Sequence, residues 1–356
     1  MNLRSDCGSA LLRATWWGIA PGRALPQVLV FCVALGVTAF AEGPVKIKLG
    51  TLAPKDSSPH QSLKVMAGAW RAAPGGGAQL IAFTDGTQGS EADMVRRMRI
   101  GQLQAALLTT VGLSEIDDSV TALQTMPLMY RTFDEVDYVR EKLRPKLEQK
   151  LAEKGFVVVF WADAGWVRFF SRQPAVFPDD LKRQKLFAWA GDNKSIEIMK
   201  AAGYQPIALE TADILPGLQT GLIDAVPAPP FFALAAQFYG PAPNMLDMNW
   251  APLAGACVVS KKVWDKLPAA DQKVMLEAAT KAGDEIRAQA RKEMDESVTA
   301  MKKRGLKVHE LTPAAETAWR QVAEGAYPKI RGSMVPADMF DEVQRLLAEY
   351  RTGKTP

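Results

Sequence analysis

Short apolar segments alternate with helical segments from residue 45 onwards, and this alternation limits the folds open to the chain. Apolar residues with strand periodicity occupy three segments, which are Val45–Leu52, Ala78–Phe83 and Gln104–Thr109. The segment between the first two predicts a helix ending near Trp70, and Ser90 is placed to cap a helix over Glu91–Ile100. Alternation of strand and helix predicts an α/β architecture with a largely parallel sheet.

The rest of the chain continues this pattern and adds a long helix. The sequence predicts a helix over Phe133–Lys154, then strands over Phe156–Trp161 and Val167–Phe170. Apolar residues recur at helical spacing from Asp271 to about Arg304, which predicts one long helix. A chain of 356 residues is long enough for two domains with their own cores. Pro227 to Phe232 holds three prolines, which favours a rigid cleft wall or hinge over a strand interior.

The first 41 residues have the features of a secretory signal peptide. Arg4, Arg13 and Arg23 precede the apolar run Val28–Phe40, and Ala39-Phe40-Ala41 is a small-x-small cleavage signal. A membrane anchor is the alternative, but about 13 apolar residues are fewer than the roughly 20 that a spanning helix needs. The pattern predicts export to the periplasm.

Composition excludes several classes of function. With Cys7 and Cys32 in the leader, the mature chain keeps only Cys257, which sits in a buried-strand pattern and has no partner for a disulfide. His60 and His309 lie far apart in sequence, which argues against a histidine metal site. The net charge of +4 is small, and the sequence has no stripe of basic residues that would bind nucleic acid. No catalytic or cofactor-binding motif is legible, so we expect neither an enzyme nor a cofactor.

Five segments resemble one family in order and spacing. They are Gly86–Glu91, Met126–Tyr130, Asp180–Phe187, Leu218–Pro229 and Ser260–Pro268. Their sequences are similar to those of the solute-binding proteins of tripartite ATP-independent periplasmic (TRAP) transporters, the DctP-type family. The family pattern for the third segment is roughly Asp-Leu-Lys-Gly-Leu-Lys-Ile-Arg, and that for the fourth is Leu-Gln-Thr-Gly-Val-Val-Asp-Gly-Gln-Glu-Asn-Pro. The resemblance covers roughly residues 45 to 347.

This resemblance implies an α/β, two-domain periplasmic-binding-protein fold with an interdomain ligand cleft and a long helix spanning both domains. It implies a domain I of residues 45–165 plus 252–292 and a domain II of residues 166–251 plus 293–347. It also implies TRAP membrane subunits as partners, although a periplasmic lipoprotein is an alternative partner for a lipid-like cargo.

The sequence departs from the family where a substrate carboxylate is usually bound. The family's two arginines align with Val167 and Phe187, and its Gln-Glu-Asn aligns with Val226-Pro227-Ala228. A phenylalanine offers none of the paired charged donors of a guanidinium. Because a buried carboxylate without such a partner costs several kcal/mol, we expect an apolar or aromatic ligand group beside Phe187. The alternative is that Phe187 fills a domain core.

Arg168 is the basic residue nearest to the lost arginine positions. It follows Val167 by one step, and one step along a strand turns a side chain to the opposite face of the sheet. Arg168 therefore points away from the cleft or, on the alternative reading, binds ligand.

Trp189 shares the strand face of Phe187, so we expect it in the cleft as well, although its placement rests on periodicity alone. Further candidates for the cleft are Val226, Ala228, Gln88, Trp166, Phe231 and Tyr130. The aromatic residues among them would serve equally well as core.

These observations predict a periplasmic solute-binding protein for a hydrophobic or amphipathic ligand in an apolar cleft. One alternative is a TRAP binding protein for a small organic acid held by Arg168, with Arg131 as a second contact. Another is a scaffold or ectodomain that binds a partner protein and no small molecule.

Overall fold

The structure is a computed structural model that describes residues 45–353. The strands are β1 Val45–Thr51, β2 Ala78–Phe83, β3 Ala105–Thr109, β4 Phe156–Ser171, β5 Lys185–Trp189, β6 Gln205–Leu209, β7 Ala225–Ala228, β8 Asn244–Leu246, β9 Ala251–Ser260 and β10 Lys307–His309. The helices are α1 Ser58–Arg71, α2 Glu91–Arg99, α3 Thr110–Ser114, α4 Phe133–Glu153, α5 Pro178–Lys182, α6 Asn193–Ala201, α7 Ile214–Thr220, α8 Pro230–Ala235, α9 Lys261–Trp264, α10 Ala269–Lys302, α11 Pro313–Ile330 and α12 Ala337–Arg351. Short 3₁₀ helices cover Asp118–Leu123 and Thr211–Asp213.

The strands form a mixed sheet with the main order β2-β1-β3-β9-β4-β7-β5-β6. β1 is parallel to β2 and β3, as the strand–helix alternation predicts. β9 then enters antiparallel between β3 and β4, and β4 is also antiparallel to β7. The expectation of a largely parallel sheet therefore holds for the N-terminal strands and for β5 with β6 and β7, and is wrong at the centre of the sheet.

β4 is one strand of 16 residues where the sequence predicts two. Its first part pairs with β9, and its last residues pair with β7 and β8. The register shifts between Asp163 and Trp166, and Gly165 between them has a φ of 88°. This irregularity allows the strand to bend without ending. We call β2, β1, β3, β9 and the start of β4 the first sheet section, and the end of β4 with β7, β5, β6, β8 and β10 the second sheet section.

The long helix α10 contributes side chains to the cores of both sheet sections. It runs for 34 residues, close to the predicted range. Met275 and Ile286 pack in a cluster with Leu49 of the first section. Met301, near the other end, packs in a cluster with Phe170 and Val226 of the second section. The helix thus spans both parts of the fold, while the residue ranges given above for domains I and II stay a prediction.

Most local signals of the sequence have the expected structural effect. Ser90 caps α2, accepting a hydrogen bond from the Asp93 backbone NH while the Asp93 carboxylate accepts one from Ser90. Gly221, for which the sequence analysis made no specific prediction, ends α7 in the left-handed conformation, with φ 73°. Cys257 is fully buried, in agreement with its predicted place in the core. Pro227 corrects one part of an expectation, because it lies inside β7 opposite Phe169. It also lines a cavity, as expected for a cleft wall.

Two glycines inside helices give a matched test of the packing against β4. A Cβ atom on Gly283 of α10 would lie 2.8 Å from the Cβ of Phe160, whereas one on Gly325 of α11 would meet nothing within 4 Å. We expect Gly283→Ala to lower the free energy of unfolding by about 1–3 kcal/mol through overpacking. Gly325→Ala should raise it by about 0.5–1 kcal/mol, because alanine favours the helix. Urea denaturation measures both, and equal effects would contradict a close contact between α10 and β4.

Candidate functional site

A cavity of about 360 Å³ is lined by residues of both sheet sections. The first section contributes residues of β1, β3 and β9, among them Thr51, Leu108 and Ala254. The second contributes residues of β5 and β7, and helices α6, α8 and α11 add further side chains. β4 contributes both Asp163 and Val167. The cavity therefore lies where the predicted interdomain cleft would be.

Aromatic rings form much of the wall that the second section supplies. Phe187 and Trp189 meet edge to face with their ring centres 5.0 Å apart, and both line the cavity. Phe231, Phe232 and Trp250 line it as well. Phe187 is only 1% exposed and packs in the core cluster of the second section. Phe187 therefore belongs both to the core and to the cavity wall, so the two alternatives of a cleft position and a core position both hold.

The ionisable side chains that line the cavity are acidic. They are Glu91, Asp163 and Asp192, with Tyr204 as a further titratable group. Among residues 45–353, no lysine, arginine or histidine lines this cavity. A carboxylate ligand would therefore meet no guanidinium or ammonium group on the cavity wall.

Glu91 is fully engaged in holding the local backbone. Its Oε1 accepts a hydrogen bond from the Thr109 backbone NH at 2.7 Å, and its Oε2 accepts from the Thr109 hydroxyl at 2.6 Å and the Gly112 NH at 2.9 Å. Burial raises the pKa of Glu91 above its ordinary value, against the effect of these hydrogen bonds. Glu91 ties the start of α2 to the end of β3 and so shapes the cavity wall.

Asp163 belongs to a charged network beside the cavity. Arg291 of α10 donates to Oδ2 of Asp163 at 2.8 Å and binds both oxygens of Asp137 at 2.7 Å. Burial alone would lower the pKa of Arg291, but its hydrogen bonds to Asp137 and the charge of Asp163 raise it above the ordinary value. Arg140 of α4 lies 3.9 Å from Asp163 Oδ2. Oδ1 of Asp163 has no hydrogen-bond partner among the described residues.

Several residues predicted for the cleft do line the cavity. They are Val167, Phe187, Trp189, Val226, Ala228 and Phe231. Their contact with a ligand stays a prediction.

Arg168 does not line the cavity and is paired elsewhere. Its Nη1 lies 2.8 Å from Oδ1 of Asp247, its Nη2 donates to Asn249 at 3.4 Å, and the residue is only 8% exposed. Val167 lines the cavity, so the next residue along the strand points away from it. Arg131, the second contact in the organic-acid alternative, is exposed and outside the cavity lining.

Trp166, Tyr130 and Gln88 are also outside the cavity lining, which corrects their predicted placement. Trp166 packs in the core against Phe133, with ring centres 5.1 Å apart. The buried Tyr130 hydroxyl donates to the Ala122 carbonyl at 2.8 Å. Gln88 lies in the turn between β2 and α2.

The sequence prediction missed several cavity residues. Asp163 could have been noticed, because it is an acid inside the apolar strand β4, a setting in which an unpaired charge is costly. Tyr204 gave no comparable signal. Val322, Ala323 and Ala326 line the cavity from α11, a helix that the sequence analysis did not identify.

A mixed sheet in two sections, a long helix common to both and a cavity between their residues define a periplasmic-type solute-binding fold. Residues 49–332 match the family described as bacterial extracellular solute-binding protein, family 7, the DctP family, and the chain belongs to it. This family consists of substrate-binding transport proteins and not of enzymes.

Relatives and solved structures agree with this assignment. The C4-dicarboxylate-binding periplasmic protein DctP of Rhodobacter capsulatus is 23% identical over 92% of this chain and 98% of its own length. A TRAP periplasmic solute-binding protein of Ralstonia eutropha with bound (S)-2-acetolactate has a TM-score of 0.79 at 21% identity and covers 85% of this chain and 99% of its own. One from Sulfurospirillum deleyianum with bound succinate has a TM-score of 0.78 at 20% identity, covering 86% and 100%.

The family places the protein among periplasmic proteins. None of the helices in residues 45–353 combines the length and the apolar character needed to cross a membrane. The predicted signal peptide of residues 1–41 lies outside the described residues and stays a prediction.

Phe187 should carry a large share of the stability of the second sheet section. We expect Phe187→Ala to lower the free energy of unfolding by about 3–5 kcal/mol, because a buried ring is lost and the existing cavity grows. The matched control is Phe177→Ala, since Phe177 is 42% exposed and a change there should stay below about 1 kcal/mol. Chemical denaturation of both variants checks this, and a small loss at position 187 would show that the ring is not part of the core.

Proposed function

We propose that this TRAP-family binding protein takes up a largely apolar or amphipathic ligand in the cavity between its two sheet sections. The observation that carries the proposal is the cavity wall, which has aromatic and aliphatic side chains and, among the described residues, no basic group. The volume of about 360 Å³ lies within the range of small-molecule sites, roughly 300–1,000 Å³.

Affinity for such a ligand would come from removing apolar surface from water. Each Å² of apolar surface buried contributes about 25 cal/mol, so a ligand covered by Phe187, Trp189 and Phe231 needs no ion pair for useful affinity. A polar group on the ligand would fix its orientation through a few hydrogen bonds.

A small organic acid is the second candidate, and the known ligands of similar proteins support it better than the apolar class. Structures of similar proteins hold succinate and (S)-2-acetolactate, and another, from Bordetella pertussis, holds pyroglutamic acid. In this chain the hydroxyl of Tyr204 has no partner among the described residues and could donate to a carboxylate. Burial raises the pKa of Tyr204 to about 12, so this donor keeps its proton at neutral pH.

The organic-acid alternative as predicted from the sequence relied on Arg168. That residue is paired with Asp247 and lies outside the cavity lining, so an acid would have to be held by other groups. Membership in a solute-binding family gives no support to the scaffold alternative. The partners consistent with the family are the TRAP membrane subunits.

Identification of the molecule that co-purifies with the protein tests the ligand class. The protein is isolated from the periplasm without refolding and denatured, and the released small molecules are identified by mass spectrometry. We expect an apolar or amphipathic compound at near-stoichiometric amounts. Recovery of succinate or a similar acid would overturn the apolar proposal in favour of the second candidate.

Arg168→Ala tests, in a second experiment, whether this arginine contacts the ligand. If the cavity alone binds the ligand, the variant should lose some stability, because Asp247 loses its partner, and should keep the ligand-induced rise in Tm. Thermal shift with succinate and with the co-purified compound measures this on wild type and variant. A rise with succinate that disappears in Arg168→Ala would restore the arginine as a ligand contact.

A further inference from the structure

Among the acidic side chains that line the cavity in the described part of the chain, Asp163 is the one that lacks a complete set of hydrogen-bond partners. Its side chain is 1% exposed, and its Oδ2 is bound by Arg291. Its Oδ1 is buried and has no partner among the described residues, although Asp163 lines the cavity. A buried carboxylate oxygen without a hydrogen bond is costly, and a ligand that supplies a donor would remove that cost.

The neighbouring charges determine what kind of group suits this oxygen. Asp137 and Asp163 are balanced by Arg291 and Arg140, so the network is close to neutral. Neither arginine lines the cavity. A neutral hydroxyl therefore suits Oδ1 as well as an ammonium group does. An ionised carboxylate has no donor and would place two acceptors face to face.

A second cavity of about 290 Å³ adjoins the first and shares Glu91, Trp189 and Asp192 with it. Its other ionisable residues are Glu115, Asp118, Glu210 and Lys194. Lys194 lies 3.1 Å from Asp118 and is thereby paired. Burial, with the nearby Asp93 and Asp213, raises the pKa of Glu210. This acidic surface disfavours the approach of an anion.

We propose that the ligand has an apolar body and a hydrogen-bond-donor head group, a hydroxyl or an amine, whose donor binds Oδ1 of Asp163. This inference rests on the proposed apolar ligand class and adds the chemistry of its polar end. Phe187, Trp189 and Phe231 bind the apolar body, and Asp163 orients the head group.

Three probes with the same carbon skeleton test the head group. The compounds are 4-phenylbutan-1-ol, 4-phenylbutylamine and 4-phenylbutyrate, each titrated into the ligand-free protein in a thermal-shift assay, with succinate as a fourth compound. We expect the alcohol or the amine to raise Tm by about 3 °C or more at saturation, and 4-phenylbutyrate to give less than half of that rise. Comparison of the Tm rise for the alcohol with that for the amine distinguishes a neutral head group from a charged one.

Variants then assign the effect to Asp163. Asp163→Asn should weaken the binding of the better probe roughly tenfold or more, as expected for loss of a hydrogen bond to a charged group. Asp341→Asn, which changes a surface acid paired with Arg331, is the matched control and should leave binding unchanged. If Asp163→Asn does not fold, the ranking of the three probes on the wild-type protein still decides whether the ligand's head group is a hydrogen-bond donor.

The outcomes that contradict the inference are distinct from those that contradict the apolar ligand class. Equal shifts for the three phenylbutyl compounds, or the largest shift for 4-phenylbutyrate, would overturn the donor head group while leaving an apolar site. No shift with any of the three, together with a rise for succinate, would overturn both. An unchanged affinity in Asp163→Asn would remove Asp163 from the site.

Discussion

The pairing of one long strand with both halves of the sheet is the constraint on which the rest of the structure depends. β4 pairs first with β9 and then with β7 and β8, so the two sheet sections share one strand. The cavity follows from this arrangement, because residues before and after the irregular stretch around Gly165 reach its wall. α10 packs against the same strand and contributes to the cores on both sides. The position of the site is therefore a product of topology before any ligand contact is considered.

The chemistry of the site depends on which charged side chains are paired with one another and which line the cavity wall. Arg168, Arg140 and Arg291 all lie near the cavity in sequence or space, yet each is paired with an aspartate and none lines it. Pairing offsets part of the cost of burying these guanidinium groups and also removes them as ligand contacts. The cavity wall is left with aromatic and aliphatic side chains, acids and a tyrosine hydroxyl that has no partner among residues 45–353.

The sequence predicted the fold well because its signals are local. The capping residue Ser90 and the apolar spacing within α10 are read over a few residues each, and the order of five motifs identified the family. The site was predicted in part. Phe187 and Trp189 followed from strand alternation and motif position, whereas Trp166 and Tyr130 could not be separated from core residues by type alone. Asp163, Tyr204 and the α11 side chains come from segments far apart in the chain, and only their packing brings them to the cavity.

Phe187 serves the hydrophobic core and the cavity wall with the same ring. A change that adapts this wall to a new ligand would alter the packing of the fold in the same step. Substitutions that adapt the protein to a new ligand are then expected at residues whose change disturbs the core less, such as the half-exposed Phe231 and Trp189. Ligand preference in this protein would evolve at the partly exposed residues of the cavity wall, with the buried ones held constant by the need to stay folded.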